Sequence, residues 1–191
     1  MSARHPSPLG EGLVYEDEVP LRFSELEAEI GQARLLSIQE RNEEVLRAIA
    51  ALDEHHGEGG EEDALHHGQE LARIESKLDL LLDMVSQMLT AQLAVPPSLP
   101  VRLSALGVQW RQSGPLPAAG RRLLLELYLH RKFLRPLILP GRVADVREEE
   151  GGGEVTVVFE GMTEAVSNWL EKLIFRQHRR SVALARRQQH E

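Results

Sequence analysis

The stretch VPPSLPVRLSALGVQW, residues 95–110, is where the chain changes character. Its prolines stop any preceding helix, because proline has no N–H to donate and restricts the residue before it. Beyond Pro100, short apolar runs replace long ones. Val101–Trp110, Arg121–His130, Leu137–Val146 and Glu154–Phe159 read as strands. They are separated by Ser113-Gly-Pro-Leu-Pro, by the 130–136 linker and by the Glu148–Gly153 turn. Regular short strands with turn-rich breaks predict a barrel or a sandwich. Leu139-Pro-Gly inside the third run predicts a bend or bulge there. From Thr163 to about Arg187 the period is helical, with Val166, Trp169, Leu170, Leu173 and Ile174 on one face and Thr163 or its neighbours as the cap.

Upstream of 95 the pattern is helical. A second helix is predicted from Gln69 to Leu93, with Leu71, Leu78 and Val85 at heptad a positions and Ile74, Leu81 and Met88 at d. Leu82 and Leu89 widen that stripe. A first helix is predicted from Ser24 to Leu52, opened by the capping box Ser24/Glu27. Its a/d series is Leu35, Ile38, Asn42, Val45, Ile49 and Leu52. These twelve seam residues are the expected oligomerisation surface. A tetramer is favoured, with a dimer as the next choice, because leucine at a with isoleucine at one d position, Ile74, and extra e-side leucines move a coiled coil beyond the dimer. Between the helices, DEHHGEGGEED (53–63) is glycine-rich and like-charged, so it reads as a solvated loop. Before them, Leu13, Tyr15, Val19, Leu21 and Phe23 alternate as a strand, which Pro20 restricts to an edge or irregular position.

Composition narrows the function. Cysteine is absent, so disulfides, thiolate metal sites and cysteine nucleophiles are excluded. The start lacks the apolar core of a signal peptide, and no apolar run reaches the ~20 residues of a membrane span. A cytoplasmic location is expected. The net charge of −8 is uneven: residues 1–70 hold 17 acidic and 5 basic side chains, while the last 22 residues sum to +4. That asymmetry reads first as charge balance within or between chains. No catalytic constellation appears. Glu43/Glu44 and Glu148–Glu150 lack the apolar neighbours that split the pKa values of a carboxylate pair. His55/His56 and His66/His67 flank a glycine-rich loop and do not share a helix face, so no metal site is expected. Gly151-Gly-Gly153 opens no helix, so it is a turn and not a phosphate cradle. Nucleic acid is not an expected partner, because the basic run 176–187 has no interleaved aromatics and the chain is acidic.

Three motifs carry a family resemblance. Leu103-Ser-Ala-Leu-Gly-Val-Gln-Trp110 looks like the [D/N]-x-S-x-x-G strand and turn of PilZ domains. Gly141-Arg-Val-Ala-Asp-Val146 is similar to their G-x-V strand. Val155–Phe159, followed by Gly161-Met and a helix ending in Gln177-His-Arg-Arg180, resembles their closing strand and helix. The resemblance implies an α+β chain: a six-stranded PilZ-like barrel with long heptad helices and a C-terminal helix. Residues 1–23 would supply the first barrel strand, 24–95 the oligomerisation helices and 96–191 the rest of the barrel. This resembles an atypical subclass whose heptad helices form tetramers.

PilZ domains are known as cyclic di-GMP receptors, and the departures here concern the ligand. The family's RxxxR clamp lies just before the first barrel strand, and upstream of Val101 this chain has Val95–Pro100 and no arginine. Arg131/Arg135 and Arg176/Arg180 have the spacing, but in the wrong places. Ser104 and Gly107 keep the second motif, while Arg102 replaces its acidic or amide position with a donor. The degenerate site is therefore Arg102, Ser104 and Gly107, and no cofactor is expected, cyclic di-GMP included. The implied function is a non-enzymatic adaptor in bacterial cyclic di-GMP-linked control of motility, pili or virulence, with a protein partner the sequence does not identify. The alternatives are a receptor with an unconventional site and a pure coiled-coil scaffold.

Overall fold

The computed structural model describes residues 8–10, 12–54, 73–74, 76–78, 80–82, 84–85, 87–88, 95–130 and 133–188. Six antiparallel strands close a barrel in the order β1-β2-β3-β6-β5-β4. They are β1 (Tyr15–Glu25), β2 (Ser98–Leu103), β3 (Gly107–Ser113), β4 (Arg122–Leu127), β5 (Leu137–Glu149) and β6 (Gly152–Phe159). Helix α1 (Gln32–Glu54) and helix α3 (Glu164–Gln188) pack beside it. The described residues within 73–88 are helical and form α2.

The first strand comes from before the helices, as the alternation at 13–23 predicts. β1 pairs with β2 over Tyr15–Pro20 and with β4 over Leu21–Glu25, so it joins two neighbours end to end. Pro20 sits at the handover, where a missing N–H breaks neither ladder. The run 137–146 lies within one strand, β5. That run continues unbroken through Pro140-Gly141, and the irregularity falls at Val143/Asp145 instead. Gly141 is required there because a Cβ would lie 2.5 Å from Val157 Cγ1. The extra strand comes from 101–110, which reads as one strand and folds as a hairpin. Ser104 turns it: its Oγ accepts from the N–H of Leu106 (3.1 Å) and of Gly107 (3.2 Å), and its own N–H donates to Gly107 O (2.9 Å).

Ser24 caps nothing. It lies in β1 opposite Leu124, with Glu25 opposite Leu123, and α1 starts eight residues later at Gln32. Closing the barrel on β4 satisfies a whole ladder of backbone groups, against the two that a capping box serves.

The barrel core is aliphatic: Leu123, Leu125 and Leu127 alternate along β4, and Val155 and Val157 are buried on β6. Trp110, 1% exposed, fills its centre, with its ring centroid 5.5 Å from that of Phe23. α3 buries Val166, Leu170, Leu173 and Ile174, each contributing roughly 1.5–3 kcal/mol. Thr163 Oγ1 accepts from the Val166 N–H as its cap (3.4 Å). Trp169 sits at the margin of this face, half-buried, with Lys172 Nζ 4.8 Å from its ring centre.

The seam assigned to α1 is used inside the chain. Ile38, Asn42, Val45 and Ile49 are buried, together with Leu46, which the heptad frame omits. Leu35 and Leu52 are half-buried, and Leu35 lies against Gly161. Asn42 does not set a coiled-coil register. Its side chain donates to Ile138 O (2.8 Å) and accepts from Ile138 N (2.9 Å), which pins α1 to β5. An amphipathic stripe needs a cover, and a barrel wall with α3 beside it covers this one.

α2 is different. Ile74, Leu78, Leu80, Leu81, Met84, Val85 and Met88 are all more than half exposed. Leu71 and Leu89 lie outside the described residues.

Arg176 and Arg180, the RxxxR pair on α3, close the end of α1. Arg176 donates to Ala50 O (3.4 Å), and Arg180 donates to Asp53 Oδ1 (2.6 Å) and Asp53 O (3.0 Å). Cations at a helix C-terminus meet its free carbonyls and its dipole. Arg180→Ala leaves the Asp53 carboxylate, 6% exposed, without this partner. The arginine itself is 43% exposed, so the expected loss is only about 1–2 kcal/mol. Urea denaturation checks it, and an unchanged midpoint removes the junction from the account of stability.

Candidate functional site

The motif residues lie where β2 turns into β3, and the fold uses all three. Ser104, 2% exposed, spends its hydroxyl on the turn described above. Gly107 lies so close to β6 that any Cβ would collide with Val157 O. Arg102 points out of the barrel wall, where its Nε donates to Glu16 Oε1 (2.9 Å) and its Nη1 to Gln109 Oε1 (3.0 Å). Gln109 in turn donates to Glu154 Oε1 (3.0 Å) and Thr156 Oγ1 (3.1 Å). Register explains this row: Arg102 stands opposite Glu16 on β1 and Gln109 on β3, and Gln109 stands opposite Thr156 on β6. Side chains at paired positions on one face of a sheet are in reach of each other.

Over this row lies an open depression of about 560 Å³. Its lining includes the carboxylates Glu16, Asp17, Glu18 and Glu154 and the guanidiniums Arg102 and Arg111. Arg111 faces Glu149 at 3.4 Å and Glu154 at 4.0 Å. Four carboxylates against two paired guanidiniums leave this depression net negative. The segment 95–97, beside the mouth of β2, brings no arginine to it.

Of the arginines with clamp spacing, Arg176 and Arg180 are committed to α1, and Arg131 lies outside the described residues. The two histidine pairs are also outside them, and no cluster of metal-ligating side chains occurs among the described residues. The clear shifts in ionisation fall on the β1–β4 side of the barrel. A 2.6 Å hydrogen bond to Glu126 raises the Arg22 guanidinium, and burial raises the Tyr128 phenol, with Glu126 adding to it.

The barrel order, the inserted helices and the closing helix meet an independent finding: the profile described as "Atypical PilZ domain, cyclic di-GMP receptor" matches residues 46–187. The chain belongs to the atypical PilZ domain family. Among solved structures it is similar to a pathogenic protein from Xanthomonas campestris, described as a tetrameric PilZ domain self-assembled via a helical bundle. The two are 22% identical, with a TM-score of 0.67 over 91% of each chain. A second match is the Bacillus subtilis inhibitor of motility, 15% identical with a TM-score of 0.37, over 42% of this chain and 41% of that one. No match was found among curated proteins. Among the described residues of this PilZ chain, no helix is long and apolar enough to cross a membrane.

A second depression, which the motifs do not announce, lies between Leu9, Gly12 and Leu13, the β2–β3 turn and α3. It measures about 570 Å³ and is mainly apolar. A leucine at a turn tip, Leu106, and a phenylalanine off the helix stripe, Phe175, are its traces in the sequence.

Proposed function

We propose that this PilZ chain is a non-enzymatic adaptor in bacterial cyclic di-GMP-linked regulation of motility, pili or virulence. It assembles with copies of itself in the cytoplasm and does not take the dinucleotide at the usual motif. The observation that carries the second point is the acidic row at β1–β2–β3–β6, in which Arg102 is held by Glu16 and Gln109. A receptor needs free guanidiniums there to clamp phosphate and stack on guanine. Each charge-assisted hydrogen bond contributes about 1.5–3 kcal/mol, so two missing arginines weaken binding by at least about a hundredfold. Calorimetric titration with cyclic di-GMP near physiological salt should show a dissociation constant weaker than about 100 μM. Micromolar or tighter binding overturns the adaptor reading and favours a receptor with an unconventional site, the reading the family description supports.

Self-assembly rests on α2. At about 100° per residue, Ile74, Leu78, Leu81, Val85 and Met88 fall within roughly 40° of one line, with Met84 and Leu80 further round on one side. The apolar arc is broader than the seam a two-stranded coiled coil uses. Two neighbouring helices cover such an arc better than one does, which favours a tetramer over a dimer. The Xanthomonas neighbour, a tetramer built on a helical bundle, supports the same assembly. The seam is α2 and not α1, whose stripe the barrel and α3 already cover. A scaffold whose barrel is only a cap fits less well, because α1, α3 and the barrel share one continuous core.

A further inference from the structure

We propose that the apolar groove between Leu9, Gly12 and Leu13, the β2–β3 turn and α3 is the docking site for an acidic amphipathic helix of a partner protein. This rests on the adaptor reading and names the chemistry of its partner. Leu9 and Ile174, both 2% exposed, form the floor. Leu13, Leu106 and Phe175 form the walls and are 45%, 56% and 49% exposed. Single exposed apolar side chains are ordinary on a protein surface. Here three of them, from an N-terminal segment, a hairpin turn and a helix, converge on one depression. None is needed for its own element: turn tips favour polar residues, and Phe175 lies off the buried stripe of α3.

The shape favours a helix over a small molecule. Sites for small ligands enclose roughly 70–90% of the ligand surface, and walls that are half open do not. The apolar track also runs on along α3, because Val182, two turns past Phe175, is 37% exposed. That is the surface an amphipathic helix covers with anchors at i, i+3 or i+4, and i+7.

Charge selects the occupant. Glu171 and Lys172 on the rim offset each other. One turn on, the Arg179 guanidinium stands 5.9 Å from the Phe175 ring centre and leaves the rim positive. Arg176 and Arg180 face α1 instead. A helix that is acidic beside its apolar face complements this rim. A second copy is disfavoured, since an isologous contact brings Arg179 towards its own equivalent. An anionic membrane is disfavoured by the net negative charge of the chain.

The test is photo-crosslinking in the native cell with the full chain carrying Phe175→p-benzoylphenylalanine. The expected adduct is a peptide of another protein that is net acidic and has apolar residues three and four apart. Lys172→Glu with Arg179→Glu, shown by circular dichroism to be folded, should lower its yield about tenfold, as loss of rim complementarity predicts. Adducts only to a second copy, adducts to lipid, or no adduct overturn the proposal. The same crosslinker at Glu148, on a hairpin that does not line the groove, separates the two levels. A partner captured there and not at Phe175 overturns the groove and leaves the adaptor reading standing. Tight cyclic di-GMP binding with capture at neither position overturns both.

Discussion

Leu78→Asp combined with Leu81→Asp takes the assembly apart: light scattering reports several chains for the wild type and one for the double variant. Both leucines lie in the apolar arc of α2 and are more than half exposed within one chain, at 53% and 56%. Burial of each against neighbouring copies contributes roughly 1.5–3 kcal/mol. The substitution removes that from every subunit and places two carboxylates per chain in the seam, where each must stay charged among apolar groups or take up a proton. A loss of at least ~4 kcal/mol per chain weakens self-association about a thousandfold or more. The barrel is the internal control. Neither leucine belongs to its core, so the tertiary signal of Trp110 should survive. A wild type that is monomeric at micromolar concentration ends the assembly reading, and so does a double variant that keeps its mass.

What could be read from the sequence was whatever local periodicity encodes. The alternation at 13–23, the buried face of α3 and the closing strand at 154–159 all take their expected form. What escaped was decided by partners distant in sequence. Ser24 looks like a cap because Glu27 stands three residues on, yet its ladder partner is Leu124. Val101–Trp110 looks like one strand because apolar residues run through it, yet Ser104 and Gly107 fold it back. The stripe on α1 has the heptad spacing of a coiled coil, and the same spacing serves a helix packed on a barrel. Leu46, buried beside Val45, belongs to the second geometry and not to an a/d seam. The ligand motif was legible as a departure, since Arg102 stands where an acceptor belongs. That Glu16 and Gln109 would hold it required the register of three strands. The groove at Phe175 was not legible, because its walls come from three stretches that only the fold brings together.

The residue that separates these two uses of one stripe is Asn42, and replacing it with valine should unfold the protein at distinctly lower denaturant. In a coiled coil an asparagine at an a position costs stability and specifies register, so valine there raises stability and loosens the oligomeric state. Here Asn42 is fully buried and answers both backbone groups of Ile138, at 2.8 and 2.9 Å. Valine leaves that N–H and that C=O beneath α1 with no side chain to meet them. Each unsatisfied buried group costs about 1–3 kcal/mol, so the expected loss is about 2–5 kcal/mol. The contact lies within one chain, so the shift in urea midpoint should be the same at low and high protein concentration. The oligomeric mass below the transition should match the wild type. The two geometries therefore predict opposite signs for one substitution. A variant as stable as the wild type, or more stable, with an altered mass returns α1 to the intermolecular seam and removes the α1–β5 contact as the reason this helix sits where it does.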